Sequence, residues 1–143
     1  AQMYDKTVEC FENCDIAILS AAVADYTPKS TFDTKLKKKT DNLVVELVPT
    51  KDILAELGRR KKENQILVGF ALETDNELEN AKEKLTRKKL DCIVLNSLND
   101  QGAGFNVPTN KVTILDAKGE IYASDLKSKY EVALDISEKI LNL

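Results

Sequence analysis

Residues 35–39 read KLKKK, four lysines in five positions, inside the polar stretch TPKSTFDTKLKKKTDN. Lysine is a compact cation on a flexible stem, and a cluster of this kind suits the neutralisation of phosphate. A solvated charge run is the commoner explanation of any lysine cluster, so the neighbours decide. Lys84 and Lys88 form an i, i+4 pair at helical spacing, with Arg87 and Lys89 beside them. Like charges so placed repel by about 0.2–0.5 kcal/mol, a cost that a nearby anion turns into attraction. A third feature is LSAAVADYTPKS (19–30). Small residues such as Ala21, Ala22 and Ala24 let a ligand approach the backbone, and Asp25 can accept hydrogen bonds from it. The same alanines could equally pack against a helix while Asp25 caps a turn; the stretch alone leaves both readings open.

The rest of the inventory narrows the chemistry. There is no histidine in 143 residues, which removes every Ser/His and Cys/His mechanism. A zinc site wants four ligands, and three cysteines with no histidine, two of them four apart (Cys10 and Cys14) and one distant (Cys92), favour buried thiols over a metal site. The odd count suits reduced thiols of a cytoplasmic protein. A net charge of −3 gives no global field for nucleic acid or a membrane surface. No apolar run approaches the roughly 20 residues that span a bilayer. Neither a GxxxxGK[ST] loop nor a GxGxxG turn is present, and the GAG at 102–104 is a weak signal.

The elements that must position these residues follow from hydrophobic period. QMYDKTVECFENCD has helical spacing, and DIAILSAAVAD is a continuous apolar run that predicts a strand buried on both faces. LVVELV (43–48) predicts a second strand, and PTKDILAELGRRKK (49–62) a helix with Thr50 as N-cap and Asp52 in its first turn. QILVGFALE (65–73) and DCIVLNS (91–97) read as strands around the amphipathic helix DNELENAKEKLTRKKL (75–90). A polar loop (98–110) leads to a hairpin turning near Gly119, and a last helix closes the chain. With 43% hydrophobic residues, this is one α/β domain with a largely parallel sheet. Ligands of such sheets bind outside the carboxyl ends of the strands, here near Ala21–Asp25, Val48–Lys51, Phe70–Thr74 and Asn96–Asp100.

Taken together, AAVADY (21–26), KLKK (35–38), VPTKDIL (48–54), VGFALET (68–74), KEKLTRKKLD (82–91) and VLNSLND with GAGFN (94–106) resemble the bacterial phosphopantothenate–cysteine ligases of coenzyme A biosynthesis. The motifs occur in family order and cover nearly the whole chain. The resemblance implies a Rossmann-like α/β domain with a mostly parallel sheet, flanking helices and a C-terminal hairpin. It also implies a homodimer, with the 98–125 loop and hairpin contributing. The implied reaction joins 4′-phosphopantothenate to L-cysteine with CTP and Mg2+ through an acyl-cytidylate, releasing pyrophosphate and then CMP. A flavin-dependent phosphopantothenoylcysteine decarboxylase is fused upstream in many members. Carried over by motif, Ser20, Ala21 and Asp25 enter the nucleotide site, and Lys35 matches the catalytic lysine that stabilises charge on the α-phosphate. Val48, Pro49, Thr50 and Lys51 line the nucleotide pocket, Phe70 is the aromatic of the VGF motif, and Lys84 and Lys88 contact the nucleotide. Asn96, in the VLNS motif, is a looser match.

The family also has a Gly-rich turn and an asparagine-bearing segment upstream of these motifs, and nothing like either occurs here. On that resemblance the chain is the C-terminal portion of a ligase, inactive by itself. Two other readings stand beside it: a non-catalytic nucleotide-binding or dimerisation module of the same fold, and a dinucleotide-dependent oxidoreductase, disfavoured by the missing GxGxxG.

Overall fold

The computed structural model describes residues 2–37, 42–97, 99–100, 102–104 and 106–143. Its elements run α1 (Gln2–Phe11), β1 (Ile16–Leu19), β2 (Tyr26–Pro28), β3 (Leu47–Pro49), α2 (Ile53–Arg60), β4 (Ile66–Glu73) and α3 (Glu77–Arg87). They continue β5 (Cys92–Ser97), β6 (Thr109–Asn110), β7 (Val112–Asp116), β8 (Ile121–Ala123), β9 (Lys127–Ser128) and α4 (Lys129–Leu141). The main sheet has the order β1-β4-β5-β7-β8. Strands β1, β4 and β5 are parallel, and β7 and β8 add an antiparallel hairpin. This is the α/β architecture that the alternating periods predict, and the Rossmann-like arrangement that the resemblance implies. No helix among the described residues is long and apolar enough to cross a membrane.

Alternation along the central strands splits the core between the two faces of the sheet. Leu67, Ala71, Ile93 and Leu95 pack with Phe11, Ile53, Leu57, Ala81 and Leu85 under α1, α2 and α3. Val68, Cys92, Val94, Val112 and Ile114 face Val132, Ile136 and Ile140, which recur every fourth residue along α4. Full burial of each such aliphatic side chain stabilises the fold by about 1.5–3 kcal/mol. Cys92 belongs to this second layer, where burial, then the nearby Asp116 charge, pushes its thiol up to about 11. It is a packing residue and no nucleophile. Cys10, by contrast, is exposed, and Cys14 is half-buried.

The structure corrects the sequence at three places. The run 15–25 forms a strand over only Ile16–Leu19, and that strand is at the edge of the sheet. Ala17 and Leu19 pack under α1, whereas Ile16 and Ile18 on the other face are 42% and 49% exposed. An apolar run does not report whether both faces find a cover. The run 43–48 supplies only Leu47 and Val48 to β3, which pairs antiparallel with β2 in a ribbon apart from the main sheet. Leu43, Val44 and Val45 are exposed. Finally, α2 is capped by Asp52 and not Thr50: the Ala55 N–H donates to Asp52 Oδ1 at 3.0 Å. Both residue types cap well, and Thr50 is engaged elsewhere.

Two packing features fix the frame. Gly58 of α2 abuts the end of α3 so closely that a Cβ there would lie 1.8 Å from the Lys88 carbonyl oxygen. At the other end, Asp116 is 2% exposed and its Oδ2 lies 2.8 Å from Lys139 Nζ, while its Oδ1 accepts the N–H groups of Lys118 and Glu120. Burial alone would raise the Asp116 carboxyl; the lysine and the backbone donors outweigh it and hold it below its ordinary value.

A Gly58→Ala substitution should cost roughly 3 kcal/mol, since a backbone oxygen cannot yield as a side chain does; the urea midpoint measures this. For Asp116, the folded carboxyl titrates below 3.8, so as pH falls the unfolded chain takes up the proton first. Stability present above that value is lost as pH drops through it towards the lower folded one. Asp116→Asn should therefore be less stable at neutral pH yet show a flatter loss of stability as pH falls below about 4. Thermal melts across that window test it, and parallel acid limbs for the two proteins would refute it.

Candidate ligand-binding site

The parallel strands β1, β4 and β5 end on one edge, and a cavity of about 730 Å³ lies there. Leu19 at the end of β1 and the residues Ser20–Asp25 that follow it form one wall, and Thr50–Leu54 at the start of α2 form the next. Phe70–Leu72 and Asn96 come from β4 and β5, while Lys88, Gly104, Asn110 and Lys129 close the rim.

The wall after β1 is held by Thr50. Its hydroxyl donates to the Ala24 carbonyl at 2.7 Å, and its N–H donates to the Asp25 carbonyl at 2.8 Å. Ribbon pairing of Tyr26 with Pro49 continues the same clamp. Ser20 to Asp25 are exposed and line the cavity, so the alanines form a floor and not a packing face. Small side chains there leave the backbone within reach of a ligand.

Charge is placed at the mouth of α2. Lys88, the C-cap residue of α3, has a largely covered side chain whose Nζ lies 2.9 Å from Asp52 Oδ2. Burial would raise the Asp52 carboxyl, but the Ala55 N–H and Lys88 overcome it and keep the group below its ordinary value. Lys51 Nζ stands 4.5 Å above the centroid of the Tyr4 ring, a cation–π contact that ties α1 to this wall. Phosphate oxygens entering here would meet Lys51 and share Lys88 with Asp52, a charge-assisted contact.

Of the residues the sequence nominates, Ser20, Ala21, Asp25, Thr50, Lys51, Phe70, Lys88 and Asn96 line this cavity. Val48 and Pro49 sit in the adjoining ribbon and do not. Lys84 turns to the Glu73 carboxylate, which also accepts from Asn80, and is absent from the lining. Lys35 is exposed in the connection between β2 and β3 and does not reach the cavity wall. Lys38 and Lys39 of the same motif lie outside the described residues, as do Leu98 and Phe105 of the VLNSLND and GAGFN motifs.

Sequence reasoning did not single out Asp52 as the partner of Lys88, nor Gly104, Asn110 and Lys129. Asp52 reads as an ordinary first-turn acid. The other three fall in or after a polar loop whose path no periodicity predicts. Gly104 has φ +112, a conformation that suits glycine. Asn110 Nδ2 donates to Asn96 Oδ1 at 2.9 Å, while Asn110 Oδ1 is closed off from solvent without a donor among the described residues. Such an orphaned acceptor costs about 1–3 kcal/mol.

As for metal, no group of three or more His, Cys, Asp or Glu among the described residues could hold an ion. Asp25 and Asp52 are the carboxylates at the cavity. A magnesium ion there would draw most of its oxygen ligands from a bound phosphate chain and water.

The chain is similar to several known proteins. A prokaryotic cysteine/cysteine sulfinic acid decarboxylase is 58% identical over 143 residues, which is 100% of this chain and 40% of that protein. The coenzyme A biosynthesis bifunctional protein CoaBC of Bacillus subtilis is 45% identical, over 100% of this chain and 35% of the relative. The chain thus spans well under half the length of these relatives. The crystal structure of the C-terminal domain of a CoaBC protein superposes with a TM-score of 0.78 at 36% identity, over 97% of this chain and 59% of that one. Residues 1–143 match the model of the DNA/pantothenate metabolism flavoprotein C-terminal domain, and the chain belongs to that family.

Proposed function

We propose that the chain is the nucleotide-binding part of a phosphopantothenate–cysteine ligase that uses CTP with Mg2+. The observation that carries this reading is the cavity at the strand ends, whose lining includes eight residues nominated by motif: Ser20, Ala21, Asp25, Thr50, Lys51, Phe70, Lys88 and Asn96. The 45% identical relative is named for coenzyme A biosynthesis, which supports it.

In this reading the carboxylate of 4′-phosphopantothenate attacks the α-phosphorus of CTP. A new P–O bond forms, the bond to the β-phosphate oxygen breaks, and pyrophosphate leaves. The amine of L-cysteine then attacks the activated acyl carbon, loses a proton, and expels CMP. Neither step needs a side-chain nucleophile or an imidazole, and this chain has no histidine. Its residues work by positioning and charge. The Ala21–Ala24 floor takes the flat or sugar part of the nucleotide, and Lys51 and Lys88 hold phosphate oxygens. Lys35, exposed between β2 and β3, is the cation for the α-phosphate in this reading. Lys84 tunes the site through Glu73 or turns to the phosphates. Mg2+, when bound, neutralises the triphosphate.

The working protein is a cytoplasmic homodimer fused to a flavin-dependent decarboxylase. The exposed Ile121 and Tyr122 on β8, the last strand of the sheet, fit a role for the hairpin in pairing. The decarboxylase named in the 58% identical relative fits the part of such a protein that this chain does not cover.

Full-length protein given CTP, 4′-phosphopantothenate and cysteine should release pyrophosphate and then form the thiol product only when cysteine is present. No pyrophosphate release would sink the ligase reading, and CO2 release alone would favour the decarboxylase. Lys35→Gln in the same protein should lower kcat about 10²- to 10³-fold with an unchanged melting temperature. A wild-type rate would remove Lys35 from the mechanism.

A further inference from the structure

The contact between Asn110 and Asn96 takes no part in the proposed phosphate chemistry. Asn96 is the next-to-last residue of β5 and pairs in register with Leu72, and Phe70 lies two residues before that partner, so Phe70 and Asn96 are diagonal neighbours on one face of the sheet. Asn110 stands in β6, whose pairing with β9 sets Asn110 opposite Lys127, immediately before the Ser128–Glu131 capping box of α4. Its backbone is thereby fixed, and its Nδ2 reaches Asn96 Oδ1 at 2.9 Å.

A carboxamide at the end of a strand is a broad two-fold rotor when nothing holds it. With Asn96 Oδ1 already accepting from Asn110, the Asn96 Nδ2 is the group left to the cavity that both residues line. Among the described residues Nδ2 has no acceptor. Asn110 gains nothing for folding from its own oxygen, which is buried and unpartnered. Its polar capacity is committed to orienting Asn96.

We infer that Asn110 is a positioning residue that locks the Asn96 carboxamide with its N–H2 towards the cavity, and that this N–H2 binds a neutral acceptor of the substrate, a carbonyl oxygen. An amide suits a neutral partner. Anionic oxygens are better served by Lys51 and Lys88, which line the cavity from other walls. The inference rests on the reading of the pocket as a substrate site. A carbonyl of this kind is present both on a pyrimidine base and on the amide of the pantothenate arm, and separate titrations tell them apart.

The test uses full-length protein titrated calorimetrically with CTP and, separately, with 4′-phosphopantothenate. Asn96→Ala and Asn110→Ala should weaken the same one of the two ligands by about five- to tenfold, the worth of one hydrogen bond. The other ligand should bind unchanged, and the double variant should be no weaker than Asn96→Ala alone. Asn96→Asp, which offers an oxygen where a donor is needed, should bind that ligand more weakly than Asn96→Ala. Asn110→Asp keeps the shape, removes the donor to Asn96, and should reproduce Asn110→Ala if the alanine variant is poorly folded. Loss on CTP assigns the carbonyl to the base, and loss on phosphopantothenate assigns it to the acyl substrate. Unchanged binding in Asn110→Ala, equal losses on both ligands, or additive losses would overturn the inference. A readout free of ligand separates this from failure of the ligase reading: the side-chain amide proton signals of Asn96 should shift in ligand-free Asn110→Ala. If they stay in place, Asn110 does not position Asn96, whatever the pocket binds.

Discussion

Strands β4 and β5 have no face turned to water along most of their length, and the rest of the molecule depends on that double burial. Leu67 and Ile93 need α2 and α3 on one side, and Val68 and Val94 need α4 on the other. Parallel neighbours cannot be joined by a tight turn, so each crossover must carry a helix back across the sheet. The chain therefore delivers the ends of β1, β4 and β5, and the starts of α2 and α3 that follow, to the same edge. The cavity is where those ends meet. Its position is a consequence of burying β4 and β5, and only its lining is a separate choice.

That lining is stapled by contacts distant in sequence. Thr50 binds the backbone of Ala24 and Asp25, and Asp52 joins the cap of α2 to Lys88 at the end of α3. Gly58, pressed against the Lys88 carbonyl, sets how near those two helices lie.

How far the sequence discloses this depends on which physical signal each residue carries. The elements β4, α3, β5, the β7–β8 hairpin and α4 have clear periods and are burial-driven, so apolar spacing places them to within about three residues at each end. Strand β1 and the ribbon of β2 and β3 are different, because an apolar run such as 43–48 states hydrophobicity without stating a partner. The cap of α2 is ambiguous because Thr50 and Asp52 are both good caps, and a third party, the Ala24 carbonyl, takes the threonine hydroxyl. In the cavity, residues in strand-end motifs such as Phe70 and Asn96 are legible. Asn110 and Gly104 are not, because they arrive through a loop whose course is set by its pairing with β9.

The ion pair between Lys88 and Asp52 also bears on how binding here should respond to ionic strength. The cavity carries its own counterion: before any ligand enters, one of its cations is already neutralised by a carboxylate 2.9 Å away. A polyanion that takes over Lys88 exchanges one ion pair for another and frees a carboxylate, while releasing few salt ions from solution. Screening acts chiefly on charges that solvent can reach, and the side chain of Lys88 is mostly covered. The affinity of such a site falls less steeply with salt than a count of its lysines implies.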